Sequence, residues 1–235
     1  MTSFDTERFV ERAVSSVLRS TWRDLELVVV DDGSTDRTLD LVERLARKDR
    51  RVVLLSAPHR GRREALEHAH ALATGEVLCW VDSDDLVHPE AIASCRDAID
   101  ASHELVFTHR ELIDARGQRR GAHLKNAVPY DPLRILVDNM IFHLRMFTRE
   151  VFERSGGVGD LESAIDWDQS LRMSELTEPR AIERILYSYR VRPGRMSGSR
   201  SQRDNAATAI RRAIARRGLD LELVVASDGF ALRQR

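Results

Sequence analysis

Apolar residues recur with two different periods along the first half of the chain. At positions 9, 10, 13, 14, 17 and 18 they return every three or four residues, which predicts a helix over residues 9–18. Residues 25–30 are apolar except for Glu26 and read as a strand ending in Asp31-Asp32-Gly33-Ser34. Asp36 can cap the helix that follows, whose apolar stripe is Leu39, Leu41, Val42 and Leu45. Residues 52–55 form the next strand-like run, and residues 61–73 a helix stopped near Gly75. Residues 77–81 are again apolar, a helix starts at Pro89 and runs to about residue 101, and residues 105–107 are strand-like. This alternation predicts an α/β fold with a mostly parallel sheet and helices on both faces.

The second half is less regular. Residues 110–120 suggest a hairpin turning at Ala115-Arg116-Gly117, residues 132–140 a helix, and residues 146–148 and 182–189 extended chain. A basic helix is predicted over residues 201–217, ending at Gly218. There is no internal repeat, low-complexity tract or clear linker. With 235 residues, 42% of them hydrophobic, one sizeable core is expected.

Charge alters this picture in one place. The net charge of −1 argues against a dedicated nucleic-acid binder. From Arg190 onward, however, eleven arginines and no lysine stand against four acids. That end is either a solvated helix face or a peripheral contact for an anionic membrane surface. Cys79 and Cys95 fit free thiols in a reducing cytosol, and neither a run of 18 apolar residues nor a signal-peptide pattern is present. A soluble cytoplasmic protein, with membrane association through the Arg-rich end left open, is expected.

The candidate chemistry lies where apolar runs break into acids. Val81 is followed by Asp82-Ser83-Asp84-Asp85, three carboxylates in four residues. Carboxylates so close raise one another's pKa unless a cation sits among them, and hard oxygen ligands favour Mg²⁺ or Mn²⁺ shared with a phosphate-bearing ligand. In open α/β sheets the carboxyl ends of strands are where ligands bind. The loop Asp31–Asp36 would open at the same edge, although an Asx-turn with a helix cap also explains its composition. A third acidic cluster, Asp166-Trp167-Asp168, is either a helix-start cap or contains a general base, and spacing does not choose between the two aspartates.

Several of these segments, in this order, resemble glycosyltransferase family 2. They are Glu26-Leu-Val-Val-Val-Asp-Asp-Gly-Ser-Thr-Asp36, Ala73-Thr-Gly-Glu76, Asp82-Ser-Asp-Asp85 with Pro89, and Tyr189-Arg-Val191 with Pro193-Gly194. Met140-Ile-Phe-His-Leu-Arg-Met-Phe-Thr148, Glu162-Ser-Ala-Ile-Asp-Trp-Asp168 and Leu171-Arg-Met-Ser-Glu175 are similar to the bacterial chondroitin and hyaluronan synthase modules. The resemblance implies a Rossmann-like GT-A fold and an inverting transfer from a UDP-sugar, with a hexosamine or hexuronic acid as the sugar. The acceptor would be a saccharide or glycolipid hydroxyl, in polysaccharide or glycoconjugate biosynthesis. It divides the chain into a nucleotide-sugar half, residues 1–108, an acceptor half, residues 109–199, and a basic helix and tail, residues 200–235.

The same resemblance implies roles. Phe4 would pack on uracil and Asp32 contact it, and Arg62 or Arg63 would complete the base pocket. Asp82 would lie near the ribose with Ser83 beside it, Asp84 would ligate Mg²⁺ or Mn²⁺, and Asp166 would be the catalytic base. His143 would line the sugar pocket, although a satisfied core histidine is the plainer reading, and Trp167 would stack on the acceptor.

Three departures accompany it. Family members normally begin with a buried strand before the aromatic matched by Phe4, yet only Met1-Thr2-Ser3 precede it here, and residues 221–225 are a candidate to fill that place. Ile165 stands where an acid commonly precedes the base. Arg192 stands where many relatives carry a histidine metal ligand, and arginine holds phosphate rather than metal. Missing strand and Arg192 together keep a rival open: a non-catalytic nucleotide-sugar-binding or scaffold protein on the same fold.

Overall fold

Strand β2 (Leu27–Asp32) is buried along its whole length because helices cover both its faces. Its side chains alternate accordingly. Leu27 and Val29 join a core cluster with Val10, Val14 and Val17 of helix α1 (Val10–Leu18) and Val42 of α2 (Thr38–Lys48). Val28 and Val30 meet Ala65 and Ala69 of α3 (Arg62–Leu72) on the other face. These positions come from a computed structural model that describes residues 1–123, 130–191, 200–227 and 229–235.

Strand β1 (Thr2–Ser3) pairs parallel with β2, and β2 parallel with β3 (Val52–Ala57). A parallel bridge between Thr2 and Asp82 connects this group to the end of β4 (Val77–Trp80). Beyond β4 come a short β5 (Leu86–Val87), helix α4 (Ala91–Ala98) and the long β6 (Leu105–Ile113), which turns through Asp114–Gln118 into β7 (Arg119–His123). Strand β8 (Arg145–Thr148) lies between β4 and β6 and runs antiparallel to both. Helices α5 (Arg149–Arg154) and α6 (Ile165–Met173) precede β9 (Arg180–Arg190), which is parallel to β6 and antiparallel to β5. The sheet is thus parallel where helices cross over, in the first half, and mixed beyond it.

Where the chain departs from the sequence pattern, side chains explain it. Residues 132–140 hold only a 3₁₀ turn, Arg134–Leu136, instead of a helix. Asp131 caps that turn through the amides of Leu133 and Arg134, while Ile135, Leu136 and Met140 are buried, so the apolar spacing marks core contacts rather than a helical face. Helix α4 stops at Ala98, before the predicted end near residue 101, because Asp100 turns the chain by accepting from the amides of Ser102 and His103. Helix α5 was not evident in the sequence; Thr148 caps it, its hydroxyl accepting from the amide of Val151 at 3.1 Å.

The place of the expected first strand is half filled. Met1–Ser3 take its C-terminal end: Thr2 sits opposite Val30, Ser3 opposite Asp31, and Met1 accepts from the amide of Val30 at 2.9 Å. The α-amino group of Met1 donates to the carbonyl of Val28 at 2.7 Å, and burial pushes its pKa down to about 6. Below it, between Leu27–Val28 and Val77–Val81, lies a cavity of about 580 Å³. Residues 221–225 do not fill it. They belong to β10 (Leu221–Ala226), which forms an antiparallel hairpin with β11 (Gly229–Gln234).

The predicted basic helix is α7 (Arg200–Arg216). It buries Ala206, Ala209, Ile210 and Ala213, and its arginines hold it to the body: Arg212 pairs with Asp160 at 2.6 Å, Arg216 and Arg217 with Glu175 at 2.8 and 3.3 Å. No helix among the described residues is long and apolar enough to cross a membrane.

Candidate active site

Both acidic loops open at the same edge, as parallel β2 and the Thr2–Asp82 bridge require. In the first, three aspartates divide the work. Asp31 makes the Asx-turn, accepting from the amide of Ser34 at 3.0 Å and from its hydroxyl at 2.6 Å. Asp36 takes the amide of Thr38 at 2.8 Å at the start of α2. Asp32 instead reaches across to the segment before α3, accepting from the amides of Arg60 at 2.8 Å and Gly61 at 3.0 Å. Gly33 is at φ +71°, and a Cβ there would come within 2.6 Å of the amide nitrogen of His59.

Phe4, 41% exposed, stands beside this loop. His59 stacks on it with ring centroids 4.0 Å apart, and the imidazole Nδ1 lies 2.9 Å from an Asp32 carboxylate oxygen. Sequence reading missed His59. A flat heteroaromatic ring is thus stacked on Phe4 and anchored on Asp32.

The second loop separates its three carboxylates. Asp85 is buried and takes the Tyr187 hydroxyl at 2.9 Å and the amide of Arg190 at 2.7 Å, so it locks the loop to β9 rather than starting a helix. Burial, then the charges of Asp82 and Asp84, push its pKa well up. Asp82 pairs with Nη2 of Arg62 at 2.7 Å, while Arg63 is engaged outside with Glu67 and Glu162. Burial opposes ionisation of Asp82, yet Arg62, with His143 and Arg145, holds its pKa at about 2. Ser83 is buried between them, and Asp84 is the remaining acid of the loop.

The third acidic cluster resolves in favour of Asp166 facing the site. Asp168 is buried in a pair with Arg172 at 2.8 Å, one turn along the same helix. Asp166 lines a cavity of about 250 Å³ together with Arg62, Asp82, His143 and Ser163. Ala164, immediately before α6, adopts φ +56° and ψ +21°, a conformation costing about 1–2 kcal/mol for a residue with a Cβ. That turn buries Ile165 in the core and leaves Asp166 in the first helical turn on the cavity wall. Burial raises the Asp166 pKa, but Arg145 and Arg62 outweigh it and the net direction is down.

His143 is at the same wall, with Nε2 3.8 Å from an Asp82 oxygen and its ring 5.3 Å from that of Tyr187. Burial lowers its pKa to about 3, so it is neutral. The inner cluster is therefore two guanidinium groups, Arg62 and Arg145, against two carboxylates, Asp82 and Asp166. The cavity also uses Arg110, whose guanidinium lies 3.8 Å from the Phe142 ring and 4.2 Å from the Tyr189 ring. Sequence reading missed these as well, because they come together only through the pairing of β6 with β9.

One expected residue stands elsewhere. Trp167 does not line the cavity: its indole donates to the carbonyl of Ile135 at 2.8 Å and its ring meets Phe230 at 5.6 Å. Arg192 lies outside the described residues. Among the described residues no three His, Cys, Asp or Glu side chains form a metal cage. The donor set that is present, Asp84 with Asp82 nearby, fits a Mg²⁺ or Mn²⁺ ion that keeps water and takes its other ligands from substrate phosphates.

Comparison with known proteins agrees with this layout. Residues 1–156 match the family model Glycosyl transferase family 2. The chain is 30% identical over 226 residues to a chondroitin synthase of Escherichia coli, an alignment covering 92% of this chain and 32% of that protein. It is 28% identical over 189 residues to a hyaluronan synthase of Pasteurella multocida, covering 79% of this chain and 19% of that one. It thus spans between about a fifth and a third of these relatives' length. Among solved structures, Staphylococcus aureus TarS residues 1–349 in complex with UDP-GlcNAc superimposes with a TM-score of 0.77 at 19% identity, covering 94% of this chain and 66% of that one. The mannosyltransferase PcManGT of Pyrobaculum calidifontis, with GDP-Man and Mn²⁺, gives 0.67 at 23% identity, covering 92% and 62%. The shared architecture is the GT-A fold.

Proposed function

The chain belongs to glycosyltransferase family 2, and on that premise we propose that it transfers a sugar from a UDP-linked donor to a saccharide or glycolipid hydroxyl with inversion. The observation that carries this reading is the cavity in which Asp166, Asp82 and Arg62 meet beside the strand ends. Uracil stacks at Phe4 and contacts Asp32, with His59 yielding its place. The diphosphate lies between Arg62 and Asp84, and the sugar enters the cavity beside His143. Ser83 and Arg192 belong to the donor side of this reading.

Asp166 accepts the proton of the acceptor hydroxyl as its oxygen attacks the anomeric carbon. The bond from that carbon to the diphosphate oxygen breaks on the opposite face, and UDP leaves with the electron pair. Asp84 is the residue that would hold Mg²⁺ or Mn²⁺, which when bound offsets charge on the departing diphosphate. Arg62 is the chain's own cation for the same charge once it releases Asp82.

The donor is a UDP-hexosamine or UDP-hexuronic acid. Support comes from the names of the relatives, chondroitin and hyaluronan synthases, and from the UDP-GlcNAc in the TarS complex. The same relatives' names support a role in polysaccharide or glycoconjugate synthesis, which this reading places in the cytoplasm. Peripheral membrane contact through residues 200–235 is the weaker part, since Arg212, Arg216 and Arg217 are engaged with acids of the protein.

A donor panel assayed by calorimetry and by UDP release, each with and without Mn²⁺, tests the reading. One UDP-sugar should bind and release UDP in the presence of acceptor saccharides. Tight UDP binding with no release from any donor would favour the non-catalytic binding protein instead. Asp84→Ala should remove the Mn²⁺-dependent part of UDP affinity, and equal wild-type affinity with and without the ion would overturn the metal assignment.

A further inference from the structure

Several arginines reach inward among the described residues, and three of them act as ties between segments. Arg149 donates to the carbonyls of Ala73 and Gly75 at 2.8–3.0 Å. Arg172 pairs with Asp168 at 2.8 Å and donates to the carbonyls of Gly157 and Val158. Arg190 donates to the carbonyls of Asp84 and Asp114. Each ties segments together through short hydrogen bonds, as a structural arginine does.

Arg145 has no such set. It is 0% exposed, on β8. Its Nε has no hydrogen-bond partner, and its contacts with the Ile141 carbonyl and His143 Nε2 are 3.5 Å each. Its one carboxylate contact among the described residues is Asp166, 3.6 Å from Nη1, and its guanidinium lies 5.5 Å from the Trp80 ring. Burying a guanidinium is costly, and weak hydrogen bonds do not offset that cost. What Arg145 supplies at this position is charge, delivered from behind to Asp166, the nearest carboxylate, and more weakly to Asp82.

We propose that Arg145 is a positioning residue for the transfer reaction, holding Asp166 ionised and directed at the acceptor side of the cavity. The proposal rests on the reading of Asp166 as the base. Asp166 is partly buried and shares its cavity with the carboxylate of Asp82, both of which favour its neutral form. A neutral Asp166 cannot take a proton. Arg62, the other cation facing it, is bound to Asp82 and is the group that meets the diphosphate. His143 is neutral, and Arg110 stands across the cavity between two rings. Arg145 is therefore the cation that stays with Asp166 when a donor enters, and it is out of reach of solvent and substrate.

The test is titration of the Asp166 carboxyl by NMR on protein carrying ¹³C-labelled aspartate, with the resonance assigned by its loss in Asp166→Asn. In Arg145→Met its midpoint should rise by about 1–3 pH units, the usual effect of a cation at this distance. Arg145→Lys should restore most of the shift, which a purely steric role would not. The acidic limb of kcat/KM for UDP release, with the donor selected by the panel, should move by the same amount while KM for that donor changes little.

An unmoved carboxyl midpoint in Arg145→Met overturns the proposal. A raised midpoint with an unmoved acidic limb upholds the pairing and overturns Asp166 as the base. Should Arg145→Met fail to fold, the Arg145→Met/Asp166→Asn double variant should fold, since the stranded buried carboxylate is gone. If the double variant also fails, Arg145 is a structural arginine and the proposal falls.

Discussion

The two cavities of this molecule teach opposite lessons about size and chemistry. The larger, about 580 Å³, lies between β2 and β4 and is walled mainly by the apolar side chains and backbone of core strands. The smaller, about 250 Å³, lies at the strand ends and gathers two arginines, two aspartates and a histidine that are not neighbours in the chain. Four elements contribute charges to it: Arg62 comes from the start of α3, Asp82 from the end of β4, Arg110 from β6 and Asp166 from the first turn of α6. Convergence of groups whose ionisation is mutually controlled marks a reaction site, and empty volume does not. The larger space lies between core strands: β2 and β4 stand apart there, with Met1–Ser3 between their upper ends.

The sharpest way to break this contrast is at the base. Asp166→Asn should lower transfer by about 10²–10⁴-fold, the usual contribution of a positioned general base, while UDP affinity measured by calorimetry stays close to wild type. Full turnover in that variant would remove the chemical distinction of the smaller cavity.

A smaller effect is expected at His70, on the wall of the larger one. Its Nε2 accepts from the Trp80 indole at 2.7 Å, its ring stacks on Phe152 at 4.0 Å, and burial lowers its pKa to about 4. The unfolded chain therefore binds a proton at higher pH than the folded one, and stability rises as pH climbs from about 4 to 6.5. A shift of this size corresponds to about 2–3 kcal/mol. His143 contributes in the same direction from the smaller cavity. Urea denaturation across this range should show the rise, and His70→Gln, which keeps an acceptor for Trp80, should flatten part of it. A flat wild-type profile would mean that neither histidine is held neutral.

The smallest effect tests the idea that the larger cavity is only space. Cys79, partly buried on its wall, can be enlarged: Cys79→Leu should raise stability by about 1 kcal/mol and leave UDP affinity and turnover unchanged. Loss of UDP binding in that variant would show that the two cavities communicate.

The parts of this arrangement that are local in sequence were legible there. The continuous apolar run of residues 27–30, the strand ending in Asp82 and the acidic start of α6 could all be read from the sequence, because each is a local pattern within one element. The division of labour among clustered acids was not. Which of Asp31 and Asp32 makes the turn, or which of Asp82, Asp84 and Asp85 is locked away, is decided by partners such as His59, Tyr187 and Arg62, far off in the chain. The 132–140 segment misled for the same reason, since burial against distant neighbours mimics helical spacing. Trp167 beside an acid suggested a sugar platform, but an indole that donates to Ile135 serves the core.

The α-amino group of Met1, hydrogen-bonded to Val28, has a practical side. Whatever is joined ahead of Met1 enters the space between two core strands and meets their packing before it meets solvent. Arg235 is exposed. On the 235-residue chain, a handle for purification, labelling or surface immobilisation disturbs the core least when it is carried next to Arg235.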